Sequence, residues 1–190
     1  MTRLARQITI VSFFLLTVIL GCGKDSGAGG DNNDPPPGSE NNKVRIDCPI
    51  DIAAPAQDTT IAIDVYITND HDIGAFTLGF HYNSDDVEIT DIIPGPALPE
   101  GTSSAASYYP GDNLVLFLWY DGSAANPIPA QEDVKVFTLV MTIPATVSPQ
   151  EIDLDSAFVP PAGYFRFAFQ PKGDVTPGLI DCGMADISIN

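Results

Sequence analysis

The stretch Thr60 to Thr68 leaves its backbone few choices. Apolar residues occupy every second position, Ile61, Ile63, Val65 and Ile67, with Ala62, Asp64, Tyr66 and Thr68 between them. A strand turns successive side chains to opposite faces, so this pattern buries one face of a sheet and wets the other. Asn69 to Asp72 turns the chain into a second alternating run, Ile73 to Tyr82. There Phe76, Leu78, Phe80 and Tyr82 share one face, and Ala75, Thr77, Gly79 and His81 the other. Further strands read at residues 44–47, 87–93, 104–109, 114–120, 134–143, 152–158, 164–169 and 186–189. Pro94-Gly95-Pro96, Pro110-Gly111-Asp112 and Asp121-Gly122 are turn signals between them. Residues 144–151 and 170–181 read as loops, because their prolines exclude central strands. Many short strands with almost no helical period imply two packed antiparallel sheets or a closed barrel.

The N-terminus has a different logic. Arg3 and Arg6 precede a mostly apolar run from Ile8 to Leu20, the pattern of a secretory signal. The run is shorter than the ~20 residues a membrane span needs. Ile19-Leu20-Gly21-Cys22 resembles the bacterial lipobox, in which the cysteine is lipidated and becomes the mature N-terminus. That resemblance implies loss of residues 1–21 and an exported chain anchored through Cys22 to the outer membrane or cell surface. A plain signal peptide with an incidental Cys22 is the alternative. Residues 22–42 are dominated by Gly, Ser, Asp, Asn and Pro, with no aromatic or β-branched residue to offset the entropy of ordering. They read as a tether, stiffened by Pro35-Pro36-Pro37 and loose at its ends. The folded unit is then residues 43–190.

Charge narrows the partners. Of eight Lys and Arg, two lie in the signal, so six remain against 25 Asp and Glu, a mature charge of −19. Such a field repels phosphate backbones and anionic lipid, which excludes nucleic acid as a partner and limits membrane contact to the anchor. It suits calcium-rich surroundings or basic partners, and it also keeps an extracellular domain soluble. With Cys22 assigned to lipid, Cys48 and Cys182 remain. In an oxidising compartment one left-over pair most simply closes a disulfide, which would make the first and last strands neighbours; two free thiols are the alternative.

The order of these segments carries a family resemblance. Val44-Arg45-Ile46, Pro55 to Thr59, Ile61 to Asn69, Ile73 to Asn83 and Val87 to Thr90 together resemble the opening half of bacterial cohesin domains. Leu114 to Trp119 is similar to the family's apolar sixth strand, Val136 to Ile143 to its seventh, and Ile180-Asp181-Cys182-Gly183 to the motif before its last strand. The resemblance spans the whole folded unit. It implies an all-β, two-sheet jelly-roll sandwich of about nine strands whose first and last strands pair in parallel. It also implies a binding rather than catalytic protein, whose partner carries a dockerin, a small calcium-loaded helical module. Any calcium then belongs mainly to the partner, and the chain itself needs no cofactor.

The family's docking surface is one sheet face built from its third, fifth, sixth and eighth strands. Transferred to this chain, the partner-binding positions are Ala75, Thr77 and His81 on the third strand, with Gly79 between them. Tyr109 lies on the fifth, Leu116, Leu118 and Tyr120 on the sixth, and Asp121 just beyond it. Val115, Phe117 and Trp119 supply the inward face of the sixth strand, so Leu116, Leu118 and Tyr120 are left as an apolar outer centre. Ala75 and Thr77 depart from the Asn and Asp that many members present there, and residues 162–169 are richer in aromatics than the family pattern, enough for an added hairpin. A loop of the same chain covering the face is the alternative use of such a patch.

No constellation in the chain supports catalysis. His71 and His81 are the only histidines, and no serine or cysteine lies in a nucleophile-elbow context. Asp153 and Asp155 share a strand face, a placement usual for solvated carboxylates. Asp70 and Asp72 form a polar turn or, alternatively, hold calcium, and no metal site is assigned. A carbohydrate-binding module is the competing function class, with Tyr108, Tyr109, Tyr120 and Tyr164 as candidate stacking rings for polysaccharide. A structural or adhesive lipoprotein without a dockerin partner is a third.

Overall fold

A computed structural model describes residues 41–48, 51–159, 165–170, 173–180 and 186–190. The signal, Cys22, nearly all of the tether, Tyr164 and Cys182 lie outside these residues. The chain divides between Asn33 and Asp34 into two units, and all the described residues belong to the second.

The strands are β1 (Lys43–Asp47), β2 (Asp51–Ile52), β3 (Thr59–Asn69), β4 (Ile73–Tyr82), β5 (Glu88–Pro94), β6 (Ser103–Tyr109) and β7 (Leu114–Tyr120). They continue as β8 (Gln131–Ile143), β9 (Gln150–Ser156), β10 (Arg166–Phe169), β11 (Asp174–Val175), β12 (Gly178–Ile180) and β13 (Asp186–Ile189). One sheet runs β12-β1-β3-β8-β5. The other runs β11-β10-β4-β9-β13-β2, with β7 also on β4 and β6 on β7. The fold is the expected all-β, two-sheet sandwich, though with more strands than about nine. The surplus is in short pieces: β11 and β12 form within residues 170–181, read as loop. Both end their sheets, the positions a proline-flanked strand tolerates. β10 and β11 pair antiparallel, so the aromatic stretch supplies one arm of a hairpin whose other arm lies in the segment read as loop.

Alternation worked as the sequence suggested. In β3 the side chains of Ile63, Val65 and Ile67 are buried, and in β4 those of Phe76, Leu78, Phe80 and Tyr82. The sheets meet around Phe137 of β8. Its ring lies 4.4 Å from Phe117 of β7, 6.0 Å from Phe80 and 6.5 Å from Phe76, centroid to centroid. Trp119 stacks on Phe76 at 5.6 Å and donates its indole N–H to Thr102 Oγ1 at 2.8 Å, so the one polar atom of this ring is satisfied.

Phe137 is placed by an irregularity. The β3–β8 register shifts between Val65 and Tyr66, so Val136 and Phe137 are both buried where strict alternation would expose one of them. Gly95 lies against this bulge, donating its N–H to Val136 O at 2.7 Å. A Cβ at Gly95 would meet Lys135 O and the Val136 carbonyl carbon at 2.7 Å, so the approach requires glycine.

The chain's ends are joined twice, in parallel. β1 pairs with β12 (Arg45 opposite Ile180) in one sheet, and β2 with β13 (Ile52 opposite Ile189) in the other. The expected pairing of first with last strand is thus split, because β1 and β2 belong to different sheets. The fold also takes one residue from the segment read as tether. Asn42 is fully buried, accepting Gly178 N–H on its carbonyl at 2.9 Å and Asp70 N–H on its Oδ1 at 3.2 Å.

Removing the Phe137 ring should leave a void between the sheets. We expect Phe137→Ala to cost ~3–5 kcal/mol of unfolding free energy, and Ile93→Ala, at a site 51% exposed, to stay within ~0.5 kcal/mol. Denaturant titration checks both. Burial alone would raise the pKa of Asp64, but bonds from Lys135 Nζ (2.6 Å) and Thr138 Oγ1 (2.6 Å) outweigh it and hold the carboxyl below its usual range. A depressed folded pKa adds stability above the unfolded pKa and loses it as pH falls through the folded value. Asp64→Asn should therefore lower the melting temperature at pH 7 and leave it nearly unchanged at pH 2; an equal loss at both would contradict this pairing.

Candidate docking face

Four strands lie side by side in the order β6, β7, β4, β9, with β10 beside the first half of β4. Because β4 and β7 turn Phe76, Leu78, Phe80, Val115, Phe117 and Trp119 inward, the alternate residues form the outer face. Register arranges those residues in rows. Ser103, Tyr120, Ala75 and Ala168 form the first row, and Ala105, Leu118, Thr77 and Arg166 the second. Ser107, Leu116 and Gly79 form the third, and Tyr109, Leu114, His81 and Asp155 the fourth.

Seven of the eight residues chosen from sequence therefore share this face. Leu116 and Leu118 are half-buried at its centre, with Ala75 and Thr77 beside them, while Tyr109 (40% exposed), Tyr120 (45%) and His81 stand at its ends. Asp121 is the exception. It is buried, and its carboxylate is taken up by its own turn. Oδ1 accepts Ser123 N–H at 3.0 Å and the Ser123 hydroxyl at 2.6 Å, and Oδ2 accepts Asn126 N–H at 2.6 Å. The Ser123 hydroxyl and these amides hold the carboxyl below its usual range. Asp121 shapes the turn after β7 and has no oxygen left over for a partner.

Part of the face is covered by the chain itself. Ala157 N–H donates to Gly79 O at 2.7 Å, and Val159, buried, stands over Gly79. A Cβ at Gly79 would meet Val159 Cγ2 at 2.9 Å, so the segment following β9 covers this row at Gly79. The loop cover considered from sequence exists at Gly79 and leaves the first two rows open.

Arg166 and Ala168 come from β10, and the Arg166 guanidinium pairs with Asp174 on β11. Sequence reading missed both of these residues, and Ser103, Ala105 and Ser107 with them. β6 reads Ser-Ser-Ala-Ala-Ser, which has no apolar contrast to show its phase; only its register against Leu116 and Leu118 does so.

Elsewhere, the carboxylates of the 70–72 turn diverge. Asp70 Oδ1 lies 2.8 Å from His71 Nδ1, while Asp72 Oδ1 accepts Ala130 N–H at 3.1 Å, so the turn is a polar one. Among the described residues no three His, Cys, Asp or Glu side chains converge as metal ligands. Asp153 and Asp155 are both exposed on β9, and Asp153 Oδ2 accepts Asn83 Nδ2–H at 2.7 Å.

No family model matches the sequence, and no curated protein matches it. Solved structures do. A type I cohesin–dockerin complex from Clostridium thermocellum built on the OlpA cohesin matches with a TM-score of 0.55 at 16% identity, covering 73% of this chain and 95% of that one. A second Clostridium thermocellum complex, built on the OlpC cohesin, gives 0.57 at 15% identity, covering 80% and 94%. The sixth cohesin of scaffoldin B from Acetivibrio cellulolyticus, solved with a Cel5 dockerin, gives 0.56 at 14%, covering 78% and 97%. Nearly the whole of each cohesin is matched while sequence identity stays low, and what that likeness establishes is the architecture: this chain folds as a cohesin-like jelly roll.

Proposed function

We propose that the chain is a non-catalytic binding lipoprotein of a bacterial cell surface, whose outer β6–β7–β4–β9 face docks a protein partner bearing a dockerin. The observation that carries the reading is the second row. Leu118 stands half-buried between Ala105 and Thr77, an apolar centre with small neighbours on a rigid sheet, bordered by serines and the Arg166–Asp174 ion pair. An apolar centre inside a polar rim is the usual composition of a protein interface. Support for the partner class comes from the structures matched, whose cohesins are held in complexes with dockerins. Support for a binding role rather than catalysis comes from the ladder: Thr77 faces Leu118 and Arg166, and Ser107 faces Leu116, so neither hydroxyl has a base opposite it.

A glycan platform is less well served. Tyr109 and Tyr120 lie at opposite ends of the face, since Tyr109 is opposite Leu114 and β7 runs from there to Tyr120. At ~3.4 Å per residue that is roughly 20 Å, too far for one stacked pair of rings on a short sugar. Tyr108 alternates to the other side of β6 and directs its hydroxyl to the Ile92 backbone.

Binding of calcium-loaded dockerin modules to the immobilised protein, with and without chelator, tests the reading. Leu118→Arg should weaken capture by at least ~30-fold, the effect of losing a hot spot worth ~2 kcal/mol, with the melting temperature unchanged. Unfolding of that variant would contradict the assignment of faces. Capture of no dockerin, with retention on polysaccharide instead, would favour the carbohydrate-binding reading.

Export into an oxidising compartment also implies a Cys48–Cys182 disulfide. What supports this reading is that β1 and β12 run parallel with Arg45 opposite Ile180, and in sequence Cys48 comes three residues after Arg45 and Cys182 two residues after Ile180. As a thiol, Cys48 would be pushed up to about 11 by burial and, next, by Asp47. It would react slowly in the native state even if unbridged, so the protein is denatured before alkylation. Both cysteines should then resist alkylation until a reductant is added, as read by peptide mass mapping; labelling without reductant would refute the bridge.

A further inference from the structure

Sheet edges are the places where a sandwich exposes unpaired backbone, and natural proteins blunt them with short strands, charges, prolines or bulges. Four of the five edges among the described residues carry such a device. β12 is short and follows Pro177, while β11 and β2 are two residues each. β5 carries Glu88 and Asp91, ends on Pro94, and has a register shift between Ile89 and Asp91.

β6 has none of them. Ser103-Ser104-Ala105-Ala106-Ser107-Tyr108-Tyr109 contains no charge and no proline, and its register against β7 is unbroken from Ser103 to Tyr109. Among the described residues it pairs with β7 on one side only, and all but Ser107 are exposed. Alternate residues along its free side direct N–H and C=O groups outward, with nothing in the strand to turn away another strand.

We infer that β6 is a self-association edge, pairing antiparallel with β6 of a second copy of this chain about a two-fold axis at Ala106. The strand is complementary to itself in that register. Ala106 meets Ala106, Ala105 meets Ser107, Ser104 meets Tyr108, and Ser103 meets Tyr109. Residues of like parity oppose each other, so whichever set of amides points outward on one strand meets the matching set on its partner. Tyr109, on the outer side, covers Ser103 of the other copy, and no like charges face each other across the new ladder. The symmetry is closed, because one dyad uses up both edges.

This two-fold axis stands perpendicular to the sheet, and opposed residues of an antiparallel pair lie on the same face. The rows containing Leu118 would therefore continue from one copy to the next on one side of a doubled sheet. If that face docks a partner, the dimer presents two docking sites side by side and gains from bivalence; the pairing itself does not depend on docking.

Charge sets the conditions. The chain carries a net −17, so two copies repel, and the ladder supplies uncharged attraction against that repulsion. Salt shortens the screening length from ~10 Å at 0.1 M to ~3 Å at 1 M, so dimerisation should strengthen with salt, the opposite of a charge-driven interface.

Sedimentation velocity and light scattering of the purified protein at 0.1 M and 1 M NaCl test this. We expect the mass to rise toward twice the monomer value with concentration, at lower concentration in high salt, and Ala106→Lys to remain monomeric throughout with its melting temperature retained. An Ala106→Cys variant gives an independent readout: facing α-carbons in such a ladder stand ~4.5–5.5 Å apart, within disulfide reach, so mild oxidation should give a 106–106 cross-link by peptide mapping. Wild-type protein that stays monomeric in 1 M salt would overturn the inference. So would a dimer that survives Ala106→Lys without the 106–106 cross-link, since the contact would then lie elsewhere.

Discussion

The contact between Phe137 and the aromatic rings of β4 and β7 is the constraint from which the rest of the sandwich follows. One residue of the β12-β1-β3-β8-β5 sheet reaches three rings of the other, Phe76, Phe80 and Phe117, and Trp119 extends the cluster by stacking on Phe76. Because a strand's side chains alternate, committing those rings inward commits Thr77, Gly79, Leu116 and Leu118 outward. The outer face is thus the reverse side of the core. A slip of one residue in the β4–β7 register would exchange one for the other, placing Thr77 and Gly79 where phenylalanines now fill the space between sheets. Gly95 and the bulge at Val136 matter for the same reason, since they deliver Phe137 to its place.

Local charge is arranged away from that face. On the outer side of the other sheet, Arg45 stacks over Tyr66 with its guanidinium carbon 4.1 Å from the ring centre, and donates to both carboxylate oxygens of Asp133 at 2.7 and 3.0 Å. Asp64, Lys135 and Thr138 form a second cluster there. These pairs tie β1, β3 and β8 together at the surface, where ion pairs contribute modestly. The β6–β7–β4 rows are, by contrast, almost free of charge until Arg166 and Asp155 at their far side. A chain so acidic overall that leaves one face uncharged has a surface on which repulsion of a partner is locally weak.

How much of this was legible in advance depended on contrast between neighbouring residues. β3, β4 and β7 could be read to within a residue or two because isoleucine, phenylalanine and tryptophan alternate with small or polar groups, and the inward set is unmistakable. β6 could be placed, but its serines and alanines say nothing about which side is wet, and only the family resemblance put Tyr109 on the outer one. β2, β11 and β12 were beyond reach: strands of two or three residues have no period, and they exist because a neighbouring ladder recruits them. Asp121 looked available because a lone acid after a strand is usually solvated, whereas here the following turn folds back onto both its oxygens. Asn42 looked like tether because composition describes a segment's average, and one buried amide at its end escapes the average. Val159 over Gly79 is a contact between residues far apart in sequence, which no local pattern records.

The doubled parallel seam, β1 with β12 and β2 with β13, has a mechanical meaning. A pull on the chain ahead of Asn41 acts along β1, which is held on one side by β3 through five residue pairs and on the other by β12. Strands loaded along their length must release their cross-strand bonds together rather than one after another, so tension meets the whole seam at once. A domain built this way can hold its outer face in position while its leading end is tugged, and unzipping would have to begin from some other part of the sandwich.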